Sequence, residues 1–206
     1  MSITLPRLGA LVVTLSLMAS LGGALHAADS KVDGEGFVRD WLVLAPFALP
    51  EDSGADAIDM SQITKEGDLK PKAGDVQKIG DKEATWKAAT ATAYNLDLHE
   101  VLGARNEDAL AYLVTYVVAD KDMPGLTLAI GSNDQAKVWL NGKEVLKFAE
   151  TRGIEQDSDK VGVTLASGVN VVVFKVINQK NDWAAALRFL DKDGKAVTGL
   201  VVKTAP

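Results

Sequence analysis

At 206 residues, with 47% of them apolar and a net charge of −6 from 28 acidic and 22 basic side chains, the chain suits one globular domain plus a short extra segment. No Lys/Arg cluster runs along any stretch and the aromatic residues are not interleaved with basic ones, which argues against a nucleic-acid surface. Cysteine is absent, which removes disulfides, thiolate zinc sites, cysteine nucleophiles and lipid-attachment cysteines together.

Residues 1–27 read as an export signal. Arg7 closes a short basic start, Leu8 to Leu25 is apolar, and Leu25-His26-Ala27 offers a cleavage pattern. Cleavage after Ala27 would leave 21 Lys and Arg against 28 acids, and His99 as the only histidine. The rival is an uncleaved membrane anchor, since the apolar run is just long enough to span a bilayer. The Gly22-Gly23 pair weakens a helix there and favours the signal. The expectation is therefore a periplasmic or secreted protein with no membrane span in its mature form.

Residues 28–36 are small and charged, as a short linker would be, and residues 37–206 form the expected domain. Phe37 to Phe47 reads as a first strand ended by Pro46. Ala48 to Thr85 is rich in Asp, Lys, Gly and Ala, which predicts a long irregular excursion with a helical turn near Ile58 to Ile63. Trp86 restarts the ordered body. Tyr94 to Leu98 follows as a strand, and His99 to Leu102 as a turn closed by Gly103.

From Ala109 onward, strand signals recur about every ten residues, the spacing of an all-β sandwich or barrel. Ala109 to Ala119 is apolar on both parities and is expected to be a central strand covered on both faces. Leu126, Leu128 and Ile130 point inward on the next strand. Asn141-Gly142 then predicts a type I′ turn that sets Leu140 opposite Lys143, Trp139 opposite Glu144 and Val138 opposite Val145. Trp139 faces away from that apolar pair, towards either a second layer or a ligand. Lys160 to Leu165, Val171 to Ile177, Ala184 to Leu190 and Leu200 to Lys203 complete the strands.

Several of these stretches are similar to jelly-roll modules of the galactose-binding-domain-like superfamily, which occur as accessory domains of bacterial glycoside hydrolases and in secreted proteins. Arg39-Asp-Trp-Leu-Val-Leu-Ala-Pro-Phe resembles their opening strand, and Ala111-Tyr-Leu-Val-Thr-Tyr a later one. Gly131-Ser-Asn-Asp followed by Val138-Trp-Leu-Asn-Gly-Lys resembles their Gly-Ser-Asp-Asp and Val-Trp-Leu-Asn-Gly-Lys signature, with Asn133 where Asp is usual. Leu165-Ala-Ser-Gly-Val-Asn resembles their Leu-x-x-Gly-x-Asn turn, and Lys175 and Arg188 match basic positions of the following strands. The resemblance covers nearly all of residues 37–206. It implies a jelly-roll β-sandwich, all-β apart from the long excursion, and a non-catalytic module that binds carbohydrate or glycan. A protein partner or an envelope-structural role is the alternative, and a glycoside hydrolase a weaker one.

The pointed residues are Asn133, Asp134, Arg152, Lys175, Trp183 and Arg188. Lys175 and Arg188 each interrupt an otherwise apolar row of a strand. Such residues either emerge on a concave ligand face or form structural ion pairs with Asp134, Asp157 or Asp159. A sugar needs an apolar platform and hydrogen-bonding arms, which Trp139 or Trp183 beside Arg and Asn would supply, although tryptophans in a sandwich are more often core. No cofactor is implied. Asp157-Ser-Asp159 and Asp120-Lys-Asp122 could lend oxygens to a structural calcium, but read equally as loop charges. Asp191-Lys-Asp-Gly is a turn, and His99 has an ordinary role.

Overall fold

A computed structural model of the chain describes residues 29–206, so the expected export signal lies outside the described residues. In chain order the strands are β1 (Ser30–Lys31), β2 (Asp40–Ala48), β3 (Val76–Ile79), β4 (Lys82–Thr85), β5 (Lys87–Thr90), β6 (Leu96–Asp97) and β7 (Ala109–Ala119). They continue with β8 (Met123–Asn133), β9 (Ala136–Leu140), β10 (Lys143–Phe148), β11 (Asp159–Leu165), β12 (Gly168–Asn178), β13 (Ala184–Leu190) and β14 (Val201–Lys203). A short helix α1 spans Leu98–Leu102, and 3-10 turns span Gly54–Asp59 and Glu66–Asp68.

Two antiparallel sheets face one another. The larger runs β1-β14-β7-β12-β9-β10, and the smaller β11-β8-β13-β6. One side of β7 pairs with β12 along its whole length, while the other side is shared between β2 and β14. The period-two alternation of β7 explains why it is apolar on both parities. Ala109, Ala111, Leu113 and Val117 enter the core between the sheets, together with Trp41, Phe174, Leu128, Leu187 and Phe189. Leu110, Tyr112, Val114 and Tyr116 point to the outer face, where a second apolar cluster gathers Leu44, Val173 and Ile177.

That outer face is covered by the chain itself. The expected irregular excursion, Ala48 to Thr85, lies across the larger sheet as a strap from Leu49 on and contributes Leu49, Ala57, Ile58 and Ile63 to the second cluster, joined there by Trp86, expected to restart the ordered body. The strap is short of large apolar residues, and it buries Leu49, Ile58, Ile63 and Trp86 while leaving Val76 60% exposed. Burying each contributes about 1.5–3 kcal/mol for a residue of Leu or Ile size. Its helical turn falls at Gly54–Asp59, a few residues before the expected place, and a hairpin of β3 and β4 was not anticipated.

Polar contacts hold the strap down. Lys175 Nζ, on β12, donates to Glu66 Oε1 at 2.9 Å and to the Met60 carbonyl at 2.7 Å. The Tyr112 hydroxyl donates to the same Glu66 oxygen, and the Tyr116 hydroxyl to the Pro71 carbonyl at 2.6 Å. Lys137 and Lys147 reach Asp59 from β9 and β10 at 2.7 and 2.5 Å. Gly67 lies flat on Trp139, since a Cβ there would stand 2.6 Å from the indole Cδ1. Trp139 is therefore covered by a second layer rather than offered to a ligand.

Local differences from the sequence expectations have physical causes. Asn141 and Gly142 take φ of 52° and 84°, as the type I′ turn requires, and Lys143 and Glu144 face Leu140 and Trp139 as expected. A bulge follows, so Leu146 rather than Val145 faces Val138. Both Val145 and Leu146 pack on the inter-sheet core, which strict alternation would forbid and the bulge permits. Pro46 does not end β2. It sits within a register shift between Leu44 and Phe47, where its missing N–H breaks no ladder bond. Phe37 makes an isolated bridge to Arg188, with the strand beginning at Asp40. Ser30 and Lys31, expected in the linker, pair with Val202 and Val201. The expected strand at Tyr94 to Leu98 contracts to Leu96–Asp97, and α1 follows, with Asp97 accepting from the Glu100 N–H and Gly103 ending it at φ 67°.

Candidate ligand cleft

The β8–β9 junction, the loop after β10, the loop after β12 and the start of the strap meet at one end of the sandwich. Between them lies a cleft of about 670 Å³. Asn133 and Asp134 form its floor, joined by a cis peptide. Gly131, two residues earlier, must be glycine because the Glu155 carbonyl of the overlying loop would stand 2.2 Å from a Cβ.

Asp134 ties the walls together. Its Oδ1 accepts from the Arg152 backbone N–H at 3.1 Å and its Oδ2 from the Gln179 N–H at 2.8 Å. The residue is 2% exposed, and burial pushes its pKa up against the lowering effect of those backbone N–H groups. Arg152 Nε donates to the Ser132 carbonyl at 3.2 Å and Nη2 to Ser132 Oγ at 2.7 Å. The guanidinium also pairs with Asp159 and lies 3.6 Å from the Phe148 ring centroid. Opposite, Gln179 Nε2 donates to the Gly54 carbonyl at 3.1 Å, and its Oε1 accepts from Thr151 Oγ1 at 2.7 Å.

Of the six pointed residues, the fold brings together Asn133, Asp134 and Arg152 and separates the other three. Lys175 lies on the outer face of the larger sheet, 0% exposed beneath the strap. Burial lowers its pKa, against the support of Glu66. Its carboxylate partner is Glu66, not Asp134, Asp157 or Asp159. Arg188 lies on the outer face of the smaller sheet, with Nε and Nη2 bonded to Asp157 at 2.8 and 2.5 Å and its head 4.6 Å from the Phe37 ring centroid. Trp183 is 0% exposed in the inter-sheet core and gives no platform at the surface. These three therefore occupy two outer faces and the core between them, and no single ligand touches all of them.

Asp157 and Asp159, weighed as calcium ligands, are engaged by Arg188 and Arg152, and Asp122 accepts from the Ser167 N–H at 2.7 Å. Among the described residues, no three His, Cys, Asp or Glu side chains stand where they could share a metal ion. His99 hydrogen-bonds through Nε2 with the Asn181 carbonyl at 2.7 Å, positioning the loop after β12. Asp52, Asp108, Gln179, Lys180 and Asn181 line the cleft and were not foreseen. For Gln179, Lys180 and Asn181 the available signal is the polar run Asn178 to Asp182 between two apolar strands; nothing local marks Asp52 or Asp108.

No family model and no curated protein matches the chain. Among solved structures it is similar to a β-glucosidase from Kluyveromyces marxianus in complex with glucose, at 13% identity and a TM-score of 0.37 over 56% of this chain. It is also similar to a GH31 α-xylosidase from Xanthomonas citri, at 10% identity and a TM-score of 0.33 over 87% of this chain. The matches span only 15% and 28% of the lengths of those two proteins.

Proposed function

We propose that the protein is an exported, non-catalytic binding module, a jelly-roll sandwich of the galactose-binding-like kind, that holds carbohydrate in the cleft over Asp134. The observation that carries this reading is a built polar floor: Asp134 is braced by backbone N–H groups from both walls, and the Oδ1 of neighbouring Asn133 is buried with no hydrogen-bond partner. A buried polar atom without a partner is costly unless a ligand or water completes it, and sugar hydroxyls serve as both donors and acceptors. Both Asp134 oxygens already accept hydrogen bonds, which supports binding rather than general-base chemistry.

A glycan array of residues 28–206, followed by calorimetry on any ligand found, tests the proposal. Asn181→Gly, which keeps the φ of 70° free of strain, and Thr151→Ala should each weaken binding by about 0.5–1.5 kcal/mol with little change in melting temperature. Failure of every glycan to bind at millimolar concentration would overturn it. Export is tested separately by the intact mass of protein from the periplasm or medium, which should begin at Ala28. The cleft lining contains no aromatic ring, which favours as second reading a protein-interaction or envelope-structural module.

A further inference from the structure

We propose that residues 64–70, in the middle of the strap, form a flap over a second ligand site, and that the flap occupies this site as a built-in stand-in for a uronic acid residue. The site lies on the outer face of the larger sheet, apart from the cleft over Asp134, and does not depend on how that cleft is used.

These residues are the weakly held part of the strap. The anchors on either side, Ile63 and Pro71, are buried, whereas none of the residues between them is, and Leu69 packs only partly on the second cluster. No backbone hydrogen bond ties the flap to the sheet; the one from the Asp68 N–H to the Lys65 carbonyl is internal. Beyond Leu69, two neighbouring residues hold it down. Glu66 Oε1 accepts from Lys175 and from the Tyr112 hydroxyl, and Gly67 lies flat on the Trp139 indole. A segment with few buried apolar contacts and no ladder bonds opens far more readily than the whole domain.

Beside the flap, Ser61, Lys137, Trp139, Gly142 and Glu144 line a cleft of about 410 Å³ that residues 65–68 close on one side. Lifting the flap joins this space to the indole face, the Lys175 ammonium and the Tyr112 hydroxyl. A uronic acid residue carries side by side the two features that Glu66-Gly67 presents there: a carboxylate, and next to it a flat C–H face that covers an indole. Charge decides between acidic and neutral sugars. Lys175 is 0% exposed and Glu66 is its only carboxylate partner, so a neutral sugar that displaced the flap would leave a buried charge unpaired. Tethering decides between sugar and peptide. The flap competes at the high effective concentration of an attached segment, so a free peptide with the same groups loses to it. A pyranose is rigid and loses less freedom on binding, and its hydroxyls add contacts in the cleft.

The experiment compares tetramers of galacturonate and galactose by calorimetry at about pH 7, where uronate carboxyls are ionised. Gly67→Ala puts a Cβ 2.6 Å from Trp139 Cδ1 and 2.9 Å from Cγ, and so lifts the flap without stranding a charge. Overpacking of this kind shifts an equilibrium by about 5- to 150-fold, and Gly67→Ala should bind the galacturonate tetramer more tightly than the parent by that factor. Hydrogen bonds to a charged group predict roughly a 10- to 150-fold preference for galacturonate over galactose. Glu66→Leu/Lys175→Met, which removes both buried charges, should lose the preference. Hydrogen exchange gives an independent readout on the parent. Saturating galacturonate should speed exchange of the amides of residues 65–69, because the ligand takes the place of the flap, whereas a ligand bound elsewhere leaves them unchanged or slower.

Galacturonate bound no more tightly by Gly67→Ala than by the parent, a preference that survives in the double variant, or flap amides that exchange no faster with ligand present would overturn this inference. So would a peptide Lys-Glu-Gly-Asp-Leu that binds as tightly as the galacturonate tetramer, since it would make the partner a peptide. If Gly67→Ala does not fold, flap exchange in the parent decides alone. None of these results bears on the cleft over Asp134, which the glycan array with the Asn181 and Thr151 variants tests separately.

Discussion

Removing the Glu66 carboxylate tests whether the strap is held by its buried charge pair. In Glu66→Ala, Lys175 keeps only the Met60 carbonyl, and Tyr112 loses the acceptor for its hydroxyl. The Lys175 side chain is 0% exposed and that of Glu66 10%, so solvent cannot replace the lost partner. Breaking a buried pair from one side costs about 3–5 kcal/mol, and the lost tyrosine hydrogen bond roughly 0.5–1.5 more. The lysine can shed its proton, since burial already lowers its pKa, and that relief argues for the lower end, about 3 kcal/mol. Urea denaturation monitored by tryptophan fluorescence measures the loss. The double variant Glu66→Leu/Lys175→Met, which removes both charges, should recover most of it. A Glu66→Ala midpoint equal to that of the parent, or a double variant weaker than Glu66→Ala, would refute the latch.

Further expectations follow from the same geometry. Gly142→Val should cost about 1–3 kcal/mol and more than Gly194→Ala: both glycines have positive φ, but a Cβ at Gly142 also meets Asp68 Oδ1 of the strap at 2.9 Å, while one at Gly194 meets nothing. Equal denaturation midpoints would count against it. Arg188→Ala leaves Asp157 without its partner and should lower stability by about 3 kcal/mol in the same assay, whereas Trp183→Ala should cost about 3–5 kcal/mol as a core cavity. A melting temperature unchanged by either variant would return that residue to the list of surface ligand arms. Burial raises the pKa of Tyr112 and Tyr116 above the ordinary 10.0, so the folded state keeps protons there that the unfolded chain releases. Their contribution is complete below pH 10.0 and falls as pH rises above it, so denaturant midpoints should drop between about pH 10 and 11.5, less steeply in Tyr116→Phe. Asp59 behaves in the opposite sense. Hydrogen bonds from Lys137 and Lys147 hold it at about 2, so its small, solvent-screened contribution is present above 3.8 and lost as pH falls towards 2.

Patterns of period two and the residues at turns made the all-β class, the central place of β7 and the Asn141-Gly142 turn legible from the amino-acid order alone. Those signals are local: a strand's two faces and a turn's positive φ are properties of a few consecutive residues. The floor of the cleft, Asn133 and Asp134, stands out through the resemblance of Gly131-Ser-Asn-Asp to a Gly-Ser-Asp-Asp motif, and Lys175 and Arg188 because each interrupts an apolar row. What a buried polar side chain faces is decided by segments distant in the chain. Lys175 and Arg188 showed the same signature in sequence, yet Glu66, 109 residues away, claims one, and Asp157, on the other side of the sandwich, the other. The bulge that brings Leu146 opposite Val138 answers to the inter-sheet core, which no hairpin sequence contains. Ala48 to Thr85 reads as irregular because its few apolar side chains follow no period. Only the packed structure gives them an order, since Leu49, Ile58 and Ile63 are placed where they pack on the outer face of the larger sheet.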